Sequence, residues 1–343
     1  SMVEKAKSGH PGGAMGGADF INVLFSEFLV YDPNNPEWEG RDRFYLDPGH
    51  MSPMLYAVLA MQGKYTIDEL KQFRQWGSIT PGHPERDIKH GIENTSGPLG
   101  QGHTYAVGAA IAEKFLEARL SHTMMQHKIY AYISDGGIQE EISQGAGRIA
   151  GLLHLDNLIM FYDANEIQLS TECDVVMSED TKMKYQAWGW NVLEINGNDL
   201  DEIRDALKKA NEEKTRPTLI IGHTIMGKGA IKGDGTSYER NVNTHGAPLG
   251  HDSYVNTVKN LGGDIDNPFV IFDDVKELYE NRRKELLEIV GKRHQEENKW
   301  REANHETAKL MDKWFSGKAP QVDWSSVTQQ RDVATRVASS VCL

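Results

Sequence analysis

The run KIYAYISDGGIQEE, residues 128–141, closes an apolar, β-rich stretch on Ser134, Asp135 and Gly136. A carboxylate therefore stands where a buried strand meets solvent, beside a glycine that admits close backbone approach. A second run, NLIMFYDAN, closes on Asn165, with 28 residues between Gly136 and that asparagine. The segment between them has a helical pattern, so one strand–helix–strand unit returns Asn165 to the same sheet edge as Asp135. A carboxylate and an amide oxygen converging there suit Mg²⁺, with phosphate oxygens in the remaining positions. Asp-Gly by itself is a turn dipeptide. The KGDG run at 232–235 is the contrast: it follows a loop, no strand-terminal asparagine comes after it, and Gly233 to Gly235 is expected to be a surface turn.

Four of the thirteen histidines stand in loops rich in Gly or Pro: SGHPGG (His10), DPGHMS (His50), TPGHPE (His83) and NTHGAPLG (His245). Rigid loops at a sheet edge position polar groups rather than pack them. No local pair has the HxxxH or HExxH spacing of a helical zinc site. Imidazole's other uses then apply: hydrogen bonds to sugar hydroxyls, proton transfer near neutral pH, and stabilisation of charge developing on oxygen. His90, His103, His122, His127, His154, His223, His251, His294 and His305 read as background. In SGPLGQGHTYAVGAAIAEKF, residues Gly97, Pro98, Leu99 and Gly100 open a small-residue helix, which suits backbone approach to a ligand or close helix packing. That glycine spacing is not GxGxxG and no clear strand precedes it, so the strand–GxGxxG–helix unit that an NAD-dependent dehydrogenase would need is not found.

The elements that must hold these groups follow from periodicity. Ile21, Leu24, Phe25, Phe28 and Leu29 recur at helical spacing, which predicts an amphipathic helix near 17–29, Met54, Leu55, Val58 and Leu59 suggest another, and TIDELKQFRQW opens a third with a capping box of Thr66 and Glu69. Strands are expected at KIYAYI, NLIMFY, WNVLEI and TLIIGHTI, alternating with helical segments near 139–154, 179–188 and 199–213. The fold class is α/β: a parallel sheet with helices on both faces and ligands at the carboxyl ends of the strands. From about residue 270 the chain turns charged, helix-prone and poor in glycine. A net charge of −13 speaks against nucleic acid or a polybasic membrane surface as partner. Only Cys173 and Cys342 are present, which gives neither a disulfide framework nor a thiolate zinc site. No apolar run approaches a membrane span and no leader pattern opens the sequence, so a soluble, cytoplasmic protein is expected.

Together the motifs resemble the transketolase family, in its N-terminal, diphosphate-binding half. AKSGHPGGAMGGAD, DRFYLDPGHMS, FRQWGSITPGHPE, GPLGQG, SDG, YDAN and HGAPLG stand in the family's order and spacing across residues 5 to about 250. Ser134 replaces the first glycine of the family's Gly-Asp-Gly core and leaves the side-chain ligands intact. The resemblance implies a thiamine-diphosphate-binding fold, with the cofactor held through Mg²⁺, for which Ca²⁺ can substitute. It implies Asp135, Asn165 and the backbone carbonyl of Ile167 as metal ligands. Gly136, Gly97, Pro98, Leu99, Asn165, His50 and His245 would contact the cofactor, and His10, His83 and His245 would bind the sugar and assist proton transfer. Glu140 falls where the family has a glutamate in a network between subunits; by residue type alone it reads as an exposed first-turn helix residue.

The implied reaction cleaves the C2–C3 bond of a ketose phosphate and passes the two-carbon ketol unit to an aldose phosphate, in a homodimer whose active sites lie between subunits. On this reading residues 1–269 are the diphosphate-binding domain, 270–330 a charged helical linker, and 331–343 the opening of a pyrimidine-binding domain. The rest of that domain would carry a glutamate for the cofactor's aminopyrimidine ring and basic groups for the substrate phosphate. The chain is then expected to be a fragment of a longer enzyme and inactive alone. Dihydroxyacetone synthase and deoxyxylulose-phosphate synthase share cofactor and fold; TPGHPE and THGAPLG resemble transketolase more than the latter. A non-catalytic thiamine-diphosphate-binding half-subunit or paralogue is the alternative of another class, against which the intact Asp135, Asn165 and four loop histidines argue.

Overall fold

Five short strands run parallel in the computed structural model: β1 (Arg43–Leu46), β2 (Ile129–Ser134), β3 (Leu158–Ala164), β4 (Asn191–Asn196) and β5 (Thr218–His223), in the order β1-β2-β3-β5-β4. The structure describes residues 1–121, 124, 125, 127–328 and 331–342. Background His122 and the last residue of the 331–343 segment, Leu343, lie outside the described residues. β2 and β3 are buried along their whole length. Tyr130, Tyr132, Ile159 and Phe161 enter one apolar layer, and Ile129, Ala131, Ile133, Met160 and Tyr162 enter the other. Alternation with a period of two is what strand geometry imposes, and a sheet covered on both faces must be apolar on both.

The helices, in chain order, are α1 (Met2–Ala6), α2 (Pro11–Gly16), α3 (Ala18–Val23), α4 (Ser52–Met61), α5 (Ile67–Leu70), α6 (Gln101–Arg119), α7 (Asp135–Gln139) and α8 (Glu141–Leu152). They continue with α9 (Thr181–Ala187), α10 (Leu200–Glu212), α11 (His251–Asn260), α12 (Asp273–Ala303), α13 (His305–Phe315) and α14 (Thr335–Cys342). α3, α4 and α10 supply the first apolar layer, where Phe20 stacks on Phe161 with ring centroids 3.8 Å apart. α6, α8 and α9 supply the second, with Ala106, Ala110 and Ala150 letting helix and sheet approach closely. The expected helix near 17–29 is α3 continued by a π turn, Leu24–Phe28. TIDELKQFRQW keeps its capping box but holds only the four residues of α5. β1 is an additional, edge strand that the sequence reading lacked.

The chain divides into a unit of residues 1–297 and a smaller unit of 298–343. In the first, α12 docks through Tyr279, whose hydroxyl donates to Asn22 Oδ1 at 2.9 Å, and through buried Arg282, which donates to the Leu29 carbonyl at 3.0 Å. In the second, Ala308 and Met311 of α13 are buried, and Arg301 pairs with Asp312 at 2.8 Å.

Truncating the Phe161 side chain leaves a ring-sized void against Phe20 and Tyr132. Phe161→Ala is expected to lower unfolding free energy by about 3–5 kcal/mol in denaturant titrations; a loss under about 1 kcal/mol would remove that stack from the core's foundations.

Candidate active site

Register fixes the first part of the site. Ser134 pairs with Asp163 across β2 and β3, so Asp135 leaves its strand beside the end of the next. The Asp135 carboxylate is 3% exposed. Its Oδ1 accepts from the Tyr162 hydroxyl at 2.5 Å, and its Oδ2 accepts from the backbone amides of Asn165 at 3.1 Å and Glu166 at 3.0 Å. Glu166 sits in the left-handed region, φ 67, in the turn that presents those consecutive amides. Asn165 Oδ1 accepts from the Ile167 amide at 3.0 Å, and its Nδ2 donates to Asp163 Oδ2 at 3.2 Å. The Ile167 backbone lies beside the His245 ring and opposes the lowering of that ring's pKa by burial. Burial pushes Asp135 up to about 7 despite the Tyr162 bond, and neighbouring Asp163 adds to the rise. Burial likewise pushes Asp163 up to about 6. Two buried carboxylates are thus held side by side. Among the described residues no three His, Cys, Asp or Glu side chains converge as a metal cluster, so a cation here draws on amide, carbonyl and ligand oxygens.

The histidines converge because α2 lies directly on backbone. Gly227 donates to the Gly12 carbonyl at 2.9 Å, and a methyl on Gly12 would meet the Thr244 carbonyl at 2.6 Å. His10, the N-cap of α2, is thereby brought to His245, ring centroids 5.8 Å apart, and to His50 at 4.9 Å; His50 and His245 stack at 5.3 Å. His83 is exposed beside them, its Cδ2 3.1 Å from where a side chain on Gly49 would start. Burial lowers His10 to about 4, with His245, Arg74 and His83 adding to the effect. Burial also holds His50 well below the ordinary imidazole value and lowers His83 and His245. At neutral pH these rings are neutral, each able to donate from one nitrogen and accept at the other.

The glycine loop completes the arrangement. Gly97 and Gly100 take φ of 152° and 84°, conformations that L side chains rarely adopt, and the Leu99 side chain reaches Gly136 at 2.9 Å from where a Cβ would stand. Asp47, fully buried just past β1, accepts from the amides of Gly100 at 3.1 Å and His103 at 3.3 Å, and so ties the first turn of α6 to the sheet edge. Burial pushes Asp47 up to about 6 against those amide bonds. Gly102 has no room for a side chain: a methyl would lie 2.5 Å from the Asp47 Cα. Glu140 is exposed at the junction of α7 and α8, against Gly100. Asp135, Asn165, Ile167, His10, His50, His83, His245, Gly97 to Leu99 and Gly136 therefore lie in one contiguous region at the carboxyl ends of β1, β2 and β3, with Glu140 at its rim. Gly233 to Gly235 is an exposed turn.

Two contributors escaped the sequence reading. Asp47 sits in LDPGHMS, where the adjacent proline and glycine read as a turn. Arg74, in FRQWGSITPGHPE, donates to Ser8 Oγ at 2.9 Å and comes within 3.4 Å of His10 Nδ1. Its own left-handed backbone, φ 59, leaves no mark in the sequence.

Comparison with known proteins fits this geometry. The family described as "Transketolase, thiamine diphosphate binding domain" matches residues 1–320. Transketolase of Staphylococcus epidermidis is 40% identical over 329 residues, covering 93% of this chain and 48% of the relative. Transketolase of Bacillus subtilis is 38% identical over 346 residues, covering 98% and 50%. Among solved structures, transketolase from Leishmania mexicana superposes with a TM-score of 0.92 at 36% identity, over 99% of this chain and 51% of that one. A Pichia stipitis transketolase complexed with sedoheptulose 7-phosphate gives 0.89 at 31%, over 99% and 51%. The chain spans about half the length of the relatives it matches. It belongs to the transketolase family and carries that family's thiamine diphosphate binding domain.

Proposed function

We propose that this chain is the diphosphate-binding half of a transketolase, whose complete form moves a two-carbon ketol unit from a ketose phosphate to an aldose phosphate in the pentose phosphate pathway. The observation that carries the reading is the convergence of Asp135, the Asn165 side chain and the Ile167 carbonyl beside three neutral imidazoles at one sheet edge.

The residues fit the implied groups. Asp135 is a buried carboxylate whose ionised form a divalent cation would stabilise, and its Oδ1 keeps a lone pair beyond the Tyr162 bond. With one carboxylate, one amide and one carbonyl from the protein, the donor set is that of a hard cation sharing oxygens with a diphosphate, Mg²⁺ or in its place Ca²⁺. The Gly97 to Leu99 loop and Gly136 offer backbone at close range, and His50 and His245 would flank the cofactor. Bound thiamine diphosphate supplies the carbon centre that makes and breaks the ketol bond. The chain's own residues position it and manage charge and protons: His10, His83 and His245 would hold sugar hydroxyls and exchange protons there, with Arg74 fixing His10.

Residues 1–269 would form the diphosphate-binding domain, 270–330 a linker, and 331–343 the opening of a pyrimidine-binding domain that supplies the remaining cofactor and phosphate contacts. α6 and α8 present Tyr105, Ile111, Ile142, Ile149 and Leu152 to solvent, an apolar face that supports a homodimer, with Glu140 at its border. No helix among the described residues is long and apolar enough to cross a membrane.

Three experiments test this. With thiamine diphosphate, Mg²⁺, xylulose 5-phosphate and ribose 5-phosphate, the chain alone should make no sedoheptulose 7-phosphate, and adding a C-terminal half should restore it; product from the chain alone would overturn the division of the site. Calorimetry with the cofactor and Mg²⁺ should show Asp135→Ala losing more than the about 100-fold that an outer-shell change costs, whereas unchanged affinity would remove Asp135 from the metal. In the complemented enzyme, His10→Ala should slow ketol transfer by about 100-fold while cofactor affinity holds; the opposite pattern would make His10 a cofactor contact instead.

A further inference from the structure

A cavity of about 650 Å³ opens at the far end of α4 from His50. The ten residues of α4, at 1.5 Å each, separate the two by about 15 Å. Lys64, Lys89, Lys276 and Arg283 line the cavity against a single lining carboxylate, Glu280. Lys276 is paired with Asp273 at 2.8 Å, and Arg283 donates to Asn34 Oδ1 at 3.0 Å. His90, also in the wall, is held by Asp87 at 2.6 Å.

Lys64 and Lys89 are different. Lys64 is largely buried, and among the described residues it meets no carboxylate at ion-pair distance; its ammonium stands over the Tyr31 ring, 5.4 Å from the centroid. Burial lowers its pKa, Arg41 adds to the shift, and Asp32 and Glu93 oppose it. Those two carboxylates are committed elsewhere, Asp32 to the Asn34 amide and Glu93 to Arg41. Lys89 is exposed at the rim. Beside them the side-chain nitrogen of Gln62 is buried with no hydrogen-bond partner. A local excess of cations with an unused amide donor, on a chain of net charge −13, is a place that gains from an anion. Tyr31 and Tyr279 add ring surface for an organic portion.

We propose that this cavity binds a phosphate-bearing small anion, either a phosphomonoester or free phosphate, through Lys64 and Lys89 with Gln62. Ammonium groups on flexible stems recognise phosphate as point charges, and a cavity of this size accommodates a phosphate with a small organic body. The inference is independent of the strand-end site, with which it shares no residue.

Calorimetric titrations near neutral pH and low ionic strength, with glycerol 3-phosphate and separately with inorganic phosphate, test it. Saturable one-site binding that weakens with added salt is expected, with about tenfold loss in Lys64→Gln, further loss in the Lys64→Gln/Lys89→Gln double variant, and retention in Lys64→Arg. Tighter binding of the ester than of phosphate would identify an organic phosphate as the ligand; equal affinities would identify the free ion. The double variant alters the cavity lining and leaves the core intact, and an unchanged melting temperature confirms it is folded. No saturable binding by the unmodified chain, or equal affinity in the folded double variant, overturns the proposal.

Discussion

The strand-end site is organised around one carboxylate held where water is nearly excluded. Asp135 is buried at the end of a central strand, and burial alone moves it toward its neutral form. Three donors oppose that: the Tyr162 hydroxyl from within β3 and two successive amides from the turn after it. Those donors exist only if β2 and β3 are parallel, adjacent and in the observed register, since a one-residue slip would turn Tyr162 to the other face. The apolar layers, the helices that cover them and the left-handed turn at Glu166 are all conditions for that register and that turn.

Much of the fold is legible in the sequence for a simple reason. Strands covered on both faces are continuous apolar runs, and β2, β3 and β5 announce themselves as such. β1 does not, because four residues between RD and DP carry too little pattern to separate a strand from a loop. The helix expected near 17–29 is present but ends in a π turn, whose extra residue per turn has no composition signal. α5 shows the converse: the capping box is real, yet a start signal does not set a length.

The site was legible at the level of residues and less so at the level of contacts. The meeting of Asp135 and Asn165 is legible in the sequence because a single crossover links their strands. The histidines could be singled out by their Gly and Pro surroundings, but their convergence depends on Gly12 meeting the Thr244 carbonyl across more than half the chain, which no local pattern encodes. Asp47 and Arg74 stay hidden for a related reason: each acts through a hydrogen bond to a segment distant in sequence, Asp47 where the adjacent Pro and Gly read as a turn and Arg74 near the end of a run that reads as helix.

The contact between Gly102 and Asp47 also limits how this protein can vary over time. A methyl at position 102 would press on the Asp47 backbone, while the Asp47 side chain holds the amides of Gly100 and His103 on either side of that glycine. Neither position can drift alone, since a larger residue at 102 displaces the carboxylate and loss of the carboxylate frees the loop. Substitution at either site would have to be accompanied by change at the other, so the start of α6 and the end of β1 are bound to evolve as a pair.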